Sequence, residues 1–481
     1  MAAMRNVVLA ALALLAGCPS SQPVDPGDDA DDAVDAGASP DASVPARVCD
    51  VREFGAVGDG TAKDTAAIQA AIDACAPTGG VVSLHDGIFL SGMITLASDI
   101  TLDIAPTAVL RGSQNAADYP DVTPPFENTQ LGNCKKALVY AEDADRVRIT
   151  GGGTIDGNAR GVADWNGNRI PEARRPMAIF VTASRDVTLD HLEVNDAATW
   201  AVVVMEVERV VIRDLVVDTD LGPTHDGIDV VDGHDVLVED VTITSGDDSI
   251  CLKSGSATGT EDVIVRRAHT RQSGVANGIK FGTASVGSFK RILVEDVLVE
   301  NAQAAAMAVE SVDGADIADV TFRRITTWNV GTPFFVLLGN RDRNPGQVGS
   351  IEGVTFEHIR GSNMRYAWGS LISGTAIDGQ VFGISNIHFK DVDITFKAAT
   401  TTPFTVDTFP EYQGPVPGRP GVFYNRYPDA KFIAGTDGNE NITYAAPGYA
   451  IFQRHATGVT FEDCRWRVTG TDPRPWLAVK P

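Results

Sequence analysis

No apolar stretch near the start of the sequence is long enough to cross a bilayer. The run from Val7 to Ala16 is far shorter than the roughly 20 residues a spanning helix needs. Positive charge is also scarce: 39 Lys and Arg stand against 64 Asp and Glu, and the net charge of −25 argues against nucleic acid as a general partner. Histidine is thin as well, and His225, His234 and His269 make no recognisable metal-binding constellation with Cys or Glu. No cofactor is implied, and a polyanionic substrate would need locally placed cations.

What the ends do contain is an export signal. Arg5 precedes the apolar run, which stops at Leu15-Ala16-Gly17-Cys18, so residues 1–17 read as a signal peptide. Leu-Ala-Gly-Cys resembles the bacterial lipobox, which implies cleavage before Cys18 and acylation of that residue. Acyl chains would then anchor the protein without a spanning segment; an ordinary cleaved signal peptide is the plainer alternative. Residues 18–46 are Asp, Ala, Pro, Ser and Gly with almost no large apolar side chain. Such a stretch cannot offset its ordering entropy, and its aspartates repel one another, so it reads as an extended tether. Residues 47–481 are expected to form one domain with a net charge of about −19. Five cysteines remain there (Cys49, Cys75, Cys134, Cys251 and Cys464), an odd number whose pairing the sequence leaves open.

One pattern recurs through this body: two polar residues, then alternating aliphatic and polar positions. Copies include Arg185-Asp186-Val187-Thr188-Leu189, Glu208-Arg209-Val210-Val211-Ile212, His234-Asp235-Val236-Leu237-Val238 and Glu261-Asp262-Val263-Ile264-Val265. Later ones centre on Ile292, Val320, Val354, Ile387 and Val459, and the central copies recur every 23 to 29 residues. A second short strand follows each, such as Leu192 to Val194. Short period-two strands held in one register over so many copies predict a solenoid of parallel strands rather than a sandwich. Equivalent positions in successive coils then form columns of neighbours about 4.8 Å apart.

A solenoid needs capped ends. Asp64 is placed to N-cap a helix from Thr65 to Cys75 whose Ile68, Ala71, Ile72 and Cys75 share one face, suited to plug the first coil. Phe54-Gly55-Ala56-Val57-Gly58-Asp59-Gly60, followed by Asp64-Thr65 and Ala67 to Ile72, closely resembles the opening motif of the pectate-lyase-like β-helix superfamily. That resemblance implies an all-β, single-stranded right-handed parallel β-helix with an N-terminal capping helix.

A third strand carries the chemistry: His225-Asp226-Gly227-Ile228-Asp229, then Asp247-Asp248-Ser249-Ile250-Cys251-Leu252-Lys253, then Asn277-Gly278-Ile279-Lys280-Phe281. Aligning Ile228, Ile250 and Ile279 puts Asp226, Asp248 and Asn277 in one column with Asp247 beside Asp248. Three carboxylates on about two rungs repel one another and raise at least one pKa, which keeps a carboxyl protonated for use as an acid. Turn caps and a calcium site are the plainer readings of the same residues.

This pattern resembles glycoside hydrolase family 28, the polygalacturonase family, whose successive coils carry Asn-Thr-Asp, Asp-Asp and Gly-His-Gly. Here Thr224-His225-Asp226 and Gly246-Asp247-Asp248 supply the carboxylates, and the likeness spans most of residues 50 to 400. It implies Asp247 as general acid, with Asp226 and Asp248 activating water on the opposite face. That is an inverting arrangement, with about 6.5 to 9.5 Å left for the water. Asn277 stands where the family has His, and Ser249 where it has Cys. An Asn can hydrogen-bond a carboxylate or a sugar but cannot titrate.

Alternation turns Lys253 and Lys280 onto the carboxylate face, either to bind an acidic sugar or to pair with the aspartates. Arg341, in a loop after the strand from Phe334 to Leu338, is a further candidate for a substrate carboxylate, which its fork can accept bidentately. Asn277 completes the expected substrate-binding set. The insertion between Ile387 and Val459 brings Phe409, Tyr412, Phe423, Tyr424, Tyr427 and Tyr444, expected to pack over the solenoid or stack on sugar. The expectation is a monomeric hydrolase of a pectin-like acidic polysaccharide, lipid-anchored at the bacterial outer membrane or cell surface. Two other readings stay open: a calcium-dependent lyase using Lys253 or Lys280 as base, and a glycan-binding surface β-helix without catalysis.

Overall fold

The computed structural model describes residues 47–481 except 164, 166–173, 342, 345–346, 401, 403, 410–413, 416–422 and 425–444. The signal run, Cys18 and the acidic tether lie outside the described residues, as do Tyr412, Tyr427 and Tyr444. The unit Ala46–Pro481 is a right-handed parallel β-helix in which, among the described residues, 31 strands join into one sheet wound on itself.

The expected strands are present, neighbouring ones often running on as a single strand, as in Val202–Thr219, Ser288–Glu300 and Asp316–Trp328, and the expected register is the one observed. Val187, Val210, Val236, Val263, Ile292, Val320, Val354 and Ile387 pair in succession on one wall, all buried. The residue before most of them bends the chain: Asp186, Arg209, Asp235, Asp262, Arg291 and Asp319 all have φ between 55° and 59°. Aspartate tolerates this left-handed conformation, and the two arginines reach the aspartate of the preceding coil, Arg209 to Asp186 and Arg291 to Asp262, each at 2.7 Å. The next inward column is aliphatic from Leu189 to Val294 and aromatic from Phe322 onward. There Phe322, Phe356, Phe389 and Phe461 stack with centroids 5.1 to 5.2 Å apart.

The helix Thr65–Cys75 is present, and its Ile68, Ala71, Ile72 and Cys75 are buried in the same core as the first coils. Asp64 differs from expectation. Its carboxylate makes no cap on the helix but accepts the N–H groups of Val57 and Gly58 at 2.7 and 3.0 Å. Those two donors lie in the tight preceding turn and have no helical partner, so they claim the side chain. Cys75 also forms a disulfide with Cys49, tying the helix to the first strand Val48–Asp50. Replacing both cysteines by alanine frees a 26-residue loop and is expected to cost roughly 3 kcal/mol, read from the denaturant midpoint.

The wall that bears the aspartates is covered outside as well as inside. On the earlier coils its outward Tyr140, Phe180, Val203, Met205 and Val231 pack under Val122 and Cys134 of the 113–136 loop, with Phe126 and Leu131 at the margin. On the later coils Ala308, Phe335, Leu337 and Phe452 pack under Trp368, Phe409 and Ala446. Phe409 therefore has the packing role, edge-on to Phe452 at 5.1 Å. Between these two apolar covers lies the polar stretch of Asp226 to Lys280.

Candidate active site

The three site strands begin at Ile228, Ile250 and Ile279, which pair with one another across neighbouring coils and point inward. Glycine lets the coils close up just before them. A Cβ on Gly227 would lie 2.5 Å from Ser249 O, and one on Gly278 2.4 Å from a Val299 methyl. Ser249 takes the intervening inward position, where its hydroxyl meets Ser273 Oγ at 2.6 Å. The residue on the other side of each kink, Asp226, Asp248 or Asn277, faces out of the coil.

Asp248 is held as an anion. Its Oδ1 accepts from the backbone N and side-chain Nδ2 of Asn277 at 3.0 and 2.8 Å, and its Oδ2 lies 3.2 Å from Lys280 Nζ. Burial opposes its charge, but Lys280, Lys253 and the Asn277 donors outweigh that and hold it below the usual carboxylate range. Asn277 thus serves the neighbouring carboxylate, and its own Oδ1 accepts from Ala305 N at 2.9 Å.

Asp226 has the opposite character. Burial, opposed by Lys253 and reinforced by the like charges of Asp229, Asp247 and Asp248, pushes it well above the usual range. Lys253 Nζ sits 3.0 Å from Asp226 Oδ2, bonds Asp229 Oδ1, and lies 4.3 Å from the centre of the Trp200 ring. Burial works against the ammonium, yet Asp229 and the neighbouring acids keep Lys253 well above its ordinary value, so it stays charged. Asp226, Asp229 and Cys251 lie close enough together to hold an ion, but the Lys253 ammonium already bonds both of these carboxylates.

Asp247 is only half-buried, the most accessible of the three aspartates. Its Oδ2 accepts from Thr224 N at 2.6 Å, and its own N–H donates to His225 O at 3.1 Å. Arg175, fully buried, clamps the turn by donating to Thr224 Oγ1 at 2.7 Å and Ala198 O at 3.0 Å. His225 is buried beside it, and burial together with Arg175 pushes its imidazole down to about 4, so it is neutral near pH 7.

Six of the seven expected site residues therefore meet: Asp226, Asp247, Asp248, Asn277, Lys253 and Lys280. Both lysines are buried and ion-paired to the aspartates, because a buried ammonium needs a partner. Arg341 goes elsewhere, its fork bound to Asp313 and its Nη2 to Thr283 O at 2.9 Å. To meet a substrate carboxylate it would first have to release Asp313. Sequence reasoning missed Asp229, Trp200 and Arg175. Asp229 was open to the alternation argument that found Lys253, whereas Trp200 and Arg175 are placed only by coil register and a long connection.

Fold and site together define a parallel β-helix with a clustered-carboxylate centre. Residues 82–408 match the model of glycosyl hydrolases family 28, and the chain belongs to that family, a polygalacturonase-like group of glycoside hydrolases. An exo-poly-alpha-D-galacturonosidase of Dickeya chrysanthemi is 28% identical over 305 residues, covering 53% of this chain and 50% of its own. The match thus spans about half the length of that relative. A probable polygalacturonase of Vitis vinifera is 26% identical over 343 residues, covering 66% of this chain and 69% of its own. The family 28 exopolygalacturonase of Yersinia enterocolitica aligns at TM-score 0.65 over 91% of this chain and 79% of its own, at 19% identity, a likeness of fold.

Proposed function

We propose that this chain hydrolyses α-glycosidic bonds of a pectin-like acidic polysaccharide in the manner of a polygalacturonase, with inversion at the anomeric carbon. The observation that carries the reading is the unlike setting of three adjacent carboxylates. Asp247 is the accessible one and protonates the leaving glycosidic oxygen. Asp226 and Asp248 lie on the neighbouring coil positions and draw the proton from the attacking water. Lys253 and Lys280 neutralise these carboxylates in the free protein, which lessens the repulsion that a uronate would otherwise meet there. Asn277 orients Asp248. Export on a lipid-anchored tether from Cys18 to Ala46 fits a polymer too large to enter the cell.

The lyase reading loses ground because its base would have to be a neutral lysine, and Lys253 is held charged by two aspartates. The full chain, supplied with polygalacturonate in the presence of a chelator, is expected to release reducing ends without the ultraviolet absorbance of an unsaturated product. Unsaturated product, or loss of activity on chelation, would instead point to a lyase.

The covers on both sides of the site wall, with Asp226 and Asp248 each only 4% exposed, support attack at a chain end. Short products are expected to appear from the start while viscosity falls slowly. A rapid early loss of viscosity would mean that the middle of the polymer can enter.

A further inference from the structure

Inside the coil, behind the Asp247–Asp248 turn, the core changes character. Beside the aliphatic column of Val194, Val217 and Ile243 runs a column of hydroxyls, Thr219, Ser245 and Ser273, all fully buried. Ser249, which stands where the family pattern has Cys, is fully buried too and turns its hydroxyl toward the same two serines. A buried hydroxyl has to be hydrogen-bonded, whereas alanine would fill any of these positions without that demand.

The partners of the three serines run in a line. Ser273 Oγ lies 2.6 Å from Ser249 Oγ, Ser249 Oγ lies 3.0 Å from Ser245 Oγ, and Ser245 Oγ donates to Asp247 O at 2.8 Å. Gln272 O stands alongside as a second acceptor, 3.2 Å from both Ser245 Oγ and Ser249 Oγ. Each serine has one proton to give. The shortest contacts are all met when Ser273 donates to Ser249, Ser249 to Ser245 and Ser245 to Asp247 O. Hydrogen bonds ordered head to tail in this way strengthen one another.

Asp247 O belongs to the peptide that joins Asp247 to Asp248. On its other side Asp247 is tied through its carboxylate, which accepts from Thr224 N at 2.6 Å, and through its own N–H, which donates to His225 O at 3.1 Å. Those two bonds seat the residue against the neighbouring coil. The inner bond sets the tilt of the peptide, and with it the direction of one aspartate relative to the other.

We propose that Ser245 is a positioning residue: through its bond to Asp247 O, backed by Ser249 and Ser273, it fixes the peptide between the acid and the base and so the separation at which they work. This rests on the hydrolase reading. An inverting reaction needs its two carboxyl groups at a set separation, and a displacement of about 1 Å can cost about a hundredfold in rate. The three hydroxyls lie inside the coil, out of reach of substrate, so their effect falls on turnover rather than on binding.

The test compares Ser245→Ala, Ser249→Ala and Ser273→Ala in the full chain. On polygalacturonate kcat is expected to fall by about thirtyfold, about fivefold and about twofold in that order, with KM changed by less than about twofold. Melting temperatures are expected to drop by similar amounts in all three, since the hydroxyls are equally buried. Ser245→Thr keeps the donor, as Thr219 does one coil earlier, and should recover most of the rate. On an aryl galacturonide with an acidic phenol the loss in Ser245→Ala should shrink, because the acid matters less there.

Hydrogen exchange read by mass spectrometry reports the same geometry without substrate. Residues 222–226, whose Thr224 N–H is held by Asp247, are expected to exchange faster in Ser245→Ala and at the parent rate in Ser273→Ala. Losses of kcat that follow the melting temperature instead of the distance from Asp247, or exchange unchanged in Ser245→Ala, overturn the proposal. If the parent cleaves no uronate polymer the hydrolase reading falls, while the exchange comparison still decides whether Ser245 fixes the Asp247 turn.

Discussion

Asp247→Asn is expected to lower kcat on polygalacturonate by about two to four orders of magnitude, the usual contribution of a positioned general acid. The fold should barely notice. Asp247 is half-buried, its Oδ2 contact with Thr224 N is one that an asparagine oxygen can also accept, and its backbone bond to His225 O does not involve the side chain. The side chain can fill the same space but has no proton acidic enough to give the leaving oxygen. A substrate whose leaving group needs no protonation, such as an aryl galacturonide with an acidic phenol, should recover much of the rate. Loss on both substrates alike would mean that Asp247 acts by holding the turn at Thr224 rather than as an acid.

Lys253→Met carries the second large effect, and it falls on stability and on pH dependence together. Removing the ammonium leaves Asp226 and Asp229 without a cation in a buried site, which typically costs about 3–5 kcal/mol when the partner stays charged. Protonation of the two aspartates relieves part of this. Burial already raises both, and Lys253 is the chief influence opposing it, so the variant should hold them protonated to still higher pH. The acid-side fall of kcat/KM is then expected to move to higher pH, with activity near neutrality reduced by about a hundredfold.

The stability profile follows with the same sign. A group raised in the fold contributes most at low pH and loses that contribution as pH rises through its folded ionisation, so the variant should lose stability more steeply on the alkaline side than the parent. Asp248, held below its ordinary 3.8, works the other way, contributing above that value and losing it as pH falls through the lowered one. Lys280 and Asn277 stay in place but Lys253, which also lowers Asp248, is gone, so in the variant this contribution shrinks and the loss on the acid side begins at higher pH. A melting profile unchanged between pH 5 and 8, to within about 1 °C, would mean that water reaches the trio and screens it.

Much of this was legible in the chain. The column of inward residues from Val187 to Ile387 was readable because one face of every strand is buried, and a slip of one residue would turn the whole set outward. The same logic put Asp226, Asp248 and Asn277 in line, since Ile228, Ile250 and Ile279 fix the register. What alternation cannot tell is how deep a side chain lies once outside the coil. Lys253 and Lys280 were rightly turned outward, yet the outer covers bury them, and buried cations take the nearest carboxylates rather than waiting for a ligand. Arg341 is likewise paired in the free protein, its fork bound to Asp313. Asp64 shows the local version: a capping residue at the right place in the sequence was claimed by a turn with two unmet donors.

The pairing of each coil with the next also sets how the length of this protein can change over time. A whole turn added or lost beyond Met307, or before Val202, leaves the spacing of Asp226, Asp247 and Asp248 intact, because those groups are held by the pairing of Ile228 with Ile250 and by the bonds of Asp247 to Thr224 and His225. A turn inserted between Gly227 and Asp247 would carry the acid one rung further from Asp226. Duplication is therefore tolerated in whole turns at the flanks and forbidden at the centre, and the 23-to-29-residue turn is the natural step in which homologous chains should differ in length.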